Sequence, residues 1–208
     1  MRWLPLCLAL ALPSIGAAQP AAVQYRGVYA TIDMRPTQEM VRRLSAPHGG
    51  ERRDAIKEVR NNAGAFTPPV LYALANTLAE DHGEQAIFWY HVGRIRAVYD
   101  SLRCRDKTAG AVMQDLRTRI SKDLAGAQFY RRERLVGIAE KAVDWDAKNP
   151  AKYDHRWAAL YGKVAAASPG ANADEITVPE SEWPAILRHV HETHLKSVRE
   201  FAAVKPGG

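Results

Sequence analysis

The chain contains 208 residues, carries a net charge of +6, and is 47% hydrophobic and 25% charged. This composition is that of a globular protein, and the length suffices for one domain with its own core. Because no basic stretch is interleaved with aromatic residues that could stack on bases, we do not expect nucleic-acid binding. The basic excess suits an acidic partner or an anionic membrane surface, and a plain solvated basic surface is the alternative.

Residues 1–18, MRWLPLCLALALPSIGAA, have the pattern of a secretory signal peptide. Arg2 precedes an apolar segment from Leu4 to Leu12, and small residues lead to Ala18, after which we place the cleavage. The apolar segment is shorter than the ~20 residues that span a bilayer. We therefore predict a periplasmic or secreted protein with no stable membrane insertion after cleavage. An uncleaved N-terminal anchor is the alternative.

Cleavage would remove Cys7 and leave Cys104 as the single cysteine of the mature chain. An intrachain disulfide is then impossible, so packing must stabilise the fold. We predict that Cys104 is a small buried side chain, because free cysteines are commonly buried. Pairing with a cysteine of another chain is the alternative.

Residues 19–50 are predicted to form a poorly structured N-terminal arm. Apolar residues alternate there only in pieces, which favours a short strand or an extended segment at Val23, Tyr25, Val28, Ala30 and Ile32. Thr37–Leu44 favours a short helix that ends before Pro47.

From residue 51 onward the sequence is helical almost throughout. Glu51–Ala63 has apolar residues on one side. Thr67 followed by Pro68 is typical of a helix start, and this helix is predicted to run to Asp81. Gly83 is predicted to end it in the left-handed conformation. Since the next helix begins almost at once, the two helices should be antiparallel.

Glu84–Arg103 is predicted to be the central helix. Its broad apolar stripe contains Ile87, Phe88, Val92, Ile95, Val98, Tyr99 and Leu102. A second strip, of mostly small side chains, contains Ala86, Tyr90, Gly93 and Ala97. A helix with two apolar faces is buried between neighbours, and close approach of one neighbour would explain Gly93.

Four more helices follow in the prediction. They begin after Asp106, at Arg131, at Asn149–Pro150 and at Ser181. Residues 165–179 are small and polar, which predicts a mobile loop. The sequence thus predicts an all-α fold of about seven helices, either an irregular antiparallel bundle or a short solenoid, with the helical domain at residues 51–204.

Residues 70–97 resemble one repeat of the tetratricopeptide or Sel1-like families. AIFWYHVGRIRA, from Ala86 to Ala97, resembles the second helix of such a repeat, and ALANTLAEDHG before it resembles the first helix and its turn. No second copy follows at the expected period. The resemblance therefore implies one helix–turn–helix packing unit.

A second resemblance is to exported bacterial proteins of the immunity type, which neutralise secreted toxins. It is based on FWYHVGRIRA, the lone downstream cysteine and WDAKNPAKYDHRW. It implies a periplasmic binder of an effector enzyme with no catalysis of its own, and it assigns no functional residues.

Three histidines lie close together near the end of the chain, at His189, His191 and His194. HETHL is one residue short of the HExxH zinc motif, but His191 and His194 are candidates for sharing a metal ion. His194 also falls within an apolar stripe, which favours a hydrogen-bonded histidine in the core. His189 points away from His191.

YDHRW could hold an acid–base pair, Asp154 with His155. Adjacent residues on a helix do not face each other, so we favour core positions for Tyr153 and Trp157. His155 and Arg156 would then face outward as candidates for contact with a partner.

Arginines are concentrated at several points of the chain. Pairs occur at Arg42–Arg43, Arg52–Arg53 and Arg131–Arg132, with Arg134 near the last pair. Arginine is frequent at binding hot spots, which makes Arg131, Arg132 and Arg134 candidates for contact with a partner; solvated helix faces are the alternative.

No serine-nucleophile, phosphate-loop or paired CxxC motif is present, and no cofactor is expected. We therefore predict an exported, non-enzymatic protein that binds another protein, such as an inhibitor or immunity factor against a secreted effector. One alternative is an envelope enzyme using carboxylate or histidine chemistry, which a polar pocket with two or more perturbed carboxylates or histidines would favour. The other is a metal-handling protein that uses the last helix.

Overall fold

The computed structural model describes residues 25–167 and 173–204, so the predicted signal peptide lies outside the described residues. Within these ranges the protein is all-α, as the sequence predicts. The described residues form no strand, and Cys104 and Thr177 make one isolated antiparallel bridge. The described part of the chain contains ten α-helices: α1 Arg35–Leu44, α2 Gly50–Asn61, α3 Pro68–Leu78, α4 Gly83–Arg103, α5 Ala111–Thr118, α6 Lys122–Tyr130, α7 Leu135–Lys148, α8 Lys163–Ala167, α9 Ala173–Ile176 and α10 Trp183–Ala203.

Short 3-10 helices occupy several of the connections. They span Gly27–Thr31, Ala63–Ala65, Lys107–Gly110, Arg132–Arg134, His155–Tyr161 and Glu180–Glu182. The helix count exceeds the predicted seven because α6, α8 and α9 are short helices that the sequence pattern does not predict. Across the described ranges, none of the helices is long and apolar enough to cross a membrane.

Helix α4 is the centre of the fold, as predicted. It packs against α3, α6, α7 and α10, and Ile87, Val92 and Ile95 are completely buried. Three apolar clusters form around it: one with α1–α3, one with Trp157, and one with α7 and α10. The predicted burial of Cys104 is confirmed, with 1% of that residue exposed.

The close approach predicted at Gly93 is confirmed. A Cβ atom at this position would lie 3.0 Å from Cδ2 of Tyr72 and 3.2 Å from Cβ of Leu71, both on α3. These distances leave no room for a methyl group unless α3 moves. Gly93 therefore allows the tight packing of the α3–α4 pair, which is the helix–turn–helix unit expected at residues 70–97.

We expect Gly93→Ala to lower the free energy of unfolding by about 1 kcal/mol, because overpacking of about 1–3 kcal/mol exceeds the gain in helix propensity of about 1 kcal/mol. Gly137 is the matched control, since it lies in α7 and a Cβ added there would meet no heavy atom within 4 Å. Gly137→Ala should stabilise the protein by about 0.5–1 kcal/mol. Urea denaturation measures both; equal stabilisation by the two substitutions would contradict the packing described.

The conformation predicted for Gly83 is wrong. Within the described residues, Gly27 is the position with positive φ, and Gly83 is the first residue of α4. A Cβ atom on Gly83 would lie 2.7 Å from Nη1 of Arg131. The space at Gly83 is therefore used by a neighbouring side chain, not by a left-handed backbone.

The strand or extended arm predicted around Tyr25–Ile32 is also wrong, and Val23 lies outside the described residues. Gly27–Thr31 is a 3-10 helix, and Tyr29 is 4% exposed because it packs into the same cluster as Trp157. The helix predicted at Thr37–Leu44 is confirmed as part of α1, which packs on α2 and α3. This segment therefore contributes to the core.

The helix predicted from Asn149–Pro150 begins later than expected. Before it, the backbone is bound to other parts of the fold: the amide of Lys152 donates to the carbonyl of Gly64 over 2.7 Å. The side chain of Asp154 then accepts from the amide of Arg156 over 3.0 Å and caps the 3-10 helix His155–Tyr161.

The mobile loop predicted at residues 165–179 is wrong for its last part, and residues 168–172 lie outside the described ranges. Ile176 is 2% exposed. The carbonyl of Ile176 accepts from the amide of Arg105 over 2.9 Å, and the amide of Val178 donates to the carbonyl of Arg103 over 2.8 Å. These bonds attach residues 176–178 to the end of α4.

Candidate functional site

Helix α4 carries an unusual number of buried polar side chains. His91, Arg96, Asp100 and Arg103 are each 5% exposed or less. Burial of polar groups is costly unless they are paired, so their partners show which of them serve the fold and which remain available to a ligand.

Arg96 is fully paired with neighbouring groups. Its Nε donates to Oδ1 of Asp146 over 2.7 Å, and its Nη1 donates to the carbonyl of Ala63 over 3.0 Å. A third bond reaches the carbonyl of Asn149, and Asp146 also contacts Nε2 of His191 over 3.0 Å. This network joins α4, α7 and α10 and is structural.

Asp100 forms the second buried network. Its Oδ2 accepts from the hydroxyl of Tyr153 over 2.8 Å and from Nε1 of Trp157 over 2.7 Å, and its Oδ1 pairs with Arg103. Complete burial raises the pKa of Asp100 to about 6, although Arg103 and these donors oppose the shift. The guanidinium of Arg103 lies 4.6 Å from the ring centre of Trp183 at the start of α10.

His91 and His194 form the third buried group. Nε2 of His194 lies 3.1 Å from Nδ1 of His91, and the two residues are 7% and 3% exposed. Burial lowers the pKa of His91 to about 3 and that of His194 to about 4, and nearby Arg94 lowers both further. Both imidazoles are therefore neutral at physiological pH. Among the described residues, Nε2 of His91 has no hydrogen-bond partner.

A cavity of about 290 Å³ lies against the histidine pair, between α4, α5, α6, α7 and α10. We call it the arginine cavity, because Arg94 and Arg117 line it beside the histidines. Its apolar side consists of Ile120, Leu135, Val198 and Phe201. No carboxylate of the described residues lines this cavity.

Exposed apolar side chains are concentrated at the ends of α6 and α10, and one of them, Phe201, lines the arginine cavity. Among the five large hydrophobic side chains exposed in the described ranges, four lie at these two helix ends: Phe129 at 53%, Tyr130 at 79%, Phe201 at 48% and Val204 at 62%. The guanidinium of Arg132 lies 4.5 Å from the ring centre of Phe201 and so brings the end of α6 against the end of α10. We call these four residues with Arg131 and Arg132 the aromatic corner.

The predicted contact residues Arg131, Arg132 and Arg134 all lie at the α6–α7 connection. Arg134 pairs with Glu84, and Nε of Arg132 donates to the carbonyl of Phe201 over 3.0 Å. In the described part of the chain, Arg131 and Arg132 make no ion pair with a carboxylate. The charge of Arg132 therefore lies beside the exposed ring of Phe201, whereas the guanidinium of Arg131 lies against Gly83 at the start of α4.

The outward position predicted for His155 is wrong. Its ring packs edge-on against Trp183 with centres 4.8 Å apart, and burial lowers the pKa of His155 to about 4. Arg156 is half-buried, and its Nη2 donates a hydrogen bond to the carboxylate of Asp154 over 2.7 Å. Core positions are confirmed for Trp157, at 1% exposed, while Tyr153 is half-buried.

The two histidines predicted as metal candidates face different partners. His191 contacts Asp146, and His194 contacts His91, which confirms the prediction of a hydrogen-bonded core histidine. Across residues 25–167 and 173–204, no group of three or more His, Cys, Asp or Glu side chains could hold a metal ion. The last helix therefore offers no described set of metal ligands.

Sequence reasoning missed His91, Arg94 and Arg117. The signal for His91 is present in the prediction itself, because a helix buried on two apolar faces must also bury some of the polar residues between them. Arg117 could not be connected to α4 without knowledge of how α5 packs.

Neither a protein-family model, nor a curated protein, nor a solved structure matches this chain.

Proposed function

We propose that this chain is an exported, non-catalytic protein that binds an acidic partner protein through the aromatic corner. The observation that carries this proposal is the grouping of four exposed apolar side chains with Arg131 and Arg132 at one end of α6 and α10. Aromatic residues and arginine are enriched at protein interfaces, where charged rims also select the partner.

The charges of the corner favour an acidic partner. Arg131 and Arg132 lack a carboxylate partner among the described residues, and the corner adjoins Arg94 and Arg117 of the arginine cavity. An acidic surface would approach faster and dock in a defined orientation, and its binding would weaken with added salt. The signal-peptide pattern of residues 1–18 supports an encounter outside the cytoplasm.

A catalytic role is the alternative that a pocket with perturbed histidines would favour, and the arginine cavity has two such histidines. The direction of their pKa shifts argues against it. A general base works best with a pKa near the operating pH, whereas pKa values of about 3 and 4 make His91 and His194 weak bases. Binding therefore accounts better for this geometry.

Photo-crosslinking in cells tests the proposal. A photoreactive phenylalanine analogue replaces Tyr130 in the full chain, and the same analogue at exposed Lys57 of α2 is the matched control. We expect a discrete crosslinked adduct from position 130 but not from position 57. The double variant Arg131→Glu/Arg132→Glu should reduce the amount of this adduct. The mass of the crosslinked chain should show cleavage after Ala18. Equal labelling from both positions, or an unprocessed cytoplasmic chain, would contradict the proposal.

A further inference from the structure

The arginine cavity is lined by both polar and apolar side chains. Arg94, Arg117 and the histidine pair are among the polar lining residues, and Leu135, Val198 and Phe201 are among the apolar ones. Its volume, about 290 Å³, is at the lower limit of the range for small-molecule sites. A cavity of this kind fits a compact ligand with one polar and one apolar part.

The two arginines that line the cavity are the first indication of the ligand's charge. Several other arginines of the described residues are paired with a carboxylate, such as Arg96 with Asp146, Arg103 with Asp100 and Arg119 with Asp115. Neither Arg94 nor Arg117 has a carboxylate of the described residues within ion-pair distance. Two arginines that line one cavity suit a carboxylate, which accepts hydrogen bonds from a guanidinium group in a planar arrangement.

His91 is the second and independent indication. It lines the cavity, is 3% exposed, and has no partner for Nε2 among the described residues. If Nε2 of His194 donates its proton to Nδ1 of His91, the proton of neutral His91 must be on Nε2. That N–H is then a buried donor on a residue that lines the cavity. An anionic acceptor would stabilise this tautomer and would satisfy a buried polar atom.

We propose that the arginine cavity binds a small organic monocarboxylate with an apolar body. Arg94, Arg117 and Nε2–H of His91 bind the carboxylate, and Leu135, Val198 and Phe201 contact the apolar body. Inorganic phosphate would leave the apolar wall uncovered, and a neutral ligand would leave the two arginines without a carboxylate partner. The cavity shares Phe201 with the aromatic corner, but ligand binding in it does not depend on the protein-binding role of the corner.

Isothermal titration calorimetry of the full chain with 4-phenylbutyrate tests the proposal at pH 7. We expect saturable 1:1 binding and at least tenfold weaker binding of 4-phenylbutanol, which has the same body without the charge. Arg117→Gln changes an exposed side chain, so it should fold normally and weaken binding of 4-phenylbutyrate at least tenfold. Arg119→Gln is the matched control, because Arg119 is paired with Asp115 and does not line this cavity.

Each outcome of these titrations either supports or overturns the proposed carboxylate site. Binding that requires the carboxylate and Arg117, but not Arg119, supports the proposal. Absence of heat with 4-phenylbutyrate, equal affinity for the alcohol, equal affinity for inorganic phosphate, or an unchanged affinity in Arg117→Gln would overturn it. A second variant, His91→Phe, should also weaken binding at least tenfold; its thermal unfolding is recorded to show that it is folded.

Discussion

Replacement of Asp146 by Ala should lower the free energy of unfolding by about 3–5 kcal/mol, because it leaves a buried charge without its partner. Arg96 is 2% exposed and Asp146 is 8% exposed, so water cannot replace the lost carboxylate without opening the interface between α4 and α7. The substitution also removes the acceptor of His191 on α10. Urea denaturation followed by circular dichroism measures the loss.

Two comparisons separate this effect from a general sensitivity to charge removal. Arg96→Met/Asp146→Leu replaces the whole pair by apolar side chains and should be more stable than Asp146→Ala, since a missing pair costs less than an isolated buried charge. Glu140→Ala breaks the exposed pair with Arg199 and should cost less than about 1 kcal/mol. A loss below about 1 kcal/mol in Asp146→Ala, or no recovery in the double variant, would contradict the structural role of this pair.

The second large effect is a loss of stability in acid. The pKa of His91 in the folded protein is about 3 and that of His194 is about 4, whereas both lie near 6.5 in the unfolded chain. Between pH 6.5 and 4 the unfolded state therefore binds more protons, and lowering the pH favours unfolding. Asp100 acts in the opposite direction, because its pKa in the folded protein is raised to about 6. Between this value and its lower pKa in the unfolded chain, the folded state binds more protons, so acidification stabilises the fold through this group.

The histidine contribution should exceed that of Asp100. We expect the free energy of unfolding to fall by about 2–4 kcal/mol between pH 6.5 and 4.5, since one pKa unit corresponds to about 1.4 kcal/mol. His91→Leu/His194→Met removes both imidazoles and should reduce this dependence, to which His155, with its pKa of about 4, also contributes. His189→Gln removes an exposed imidazole of α10 and should leave the pH dependence of stability unchanged. Stability that is constant or rises on acidification of the unmodified chain would show that the pair is not held neutral.

The fold was predictable from the sequence where apolar periodicity was strong. Helix α4, with apolar residues such as Val92 and Ile95, and the close contact at Gly93 follow from spacing at about 100° per residue. The failures occur where tertiary contacts replace local signals. Asn149–Pro150 has the pattern of a helix start, but the backbone at Lys152 bonds to Gly64, which is distant in sequence.

The candidate site was predictable in part. Arg131, Arg132 and Arg134 form a dense arginine group in the sequence, and the structure places Arg132 beside the exposed ring of Phe201. The arginine cavity was not predictable, because five helices line it. The spacing of residues within each segment does not determine how these helices pack against one another. His91 and His194 are 103 residues apart, so their hydrogen bond is visible only in the folded chain.

Nitrogen NMR of the histidine side chains, recorded from pH 8 to pH 5, shows whether the His91–His194 pair is a neutral part of a binding site. We expect the imidazoles of His91 and His194 to remain neutral down to pH 5, as that of His155 should, and the Nε2 signal of His91 to move when 4-phenylbutyrate is added at constant pH. Titration of His91 and His194 near pH 6.5 would contradict this role and would favour general-base chemistry in the cavity.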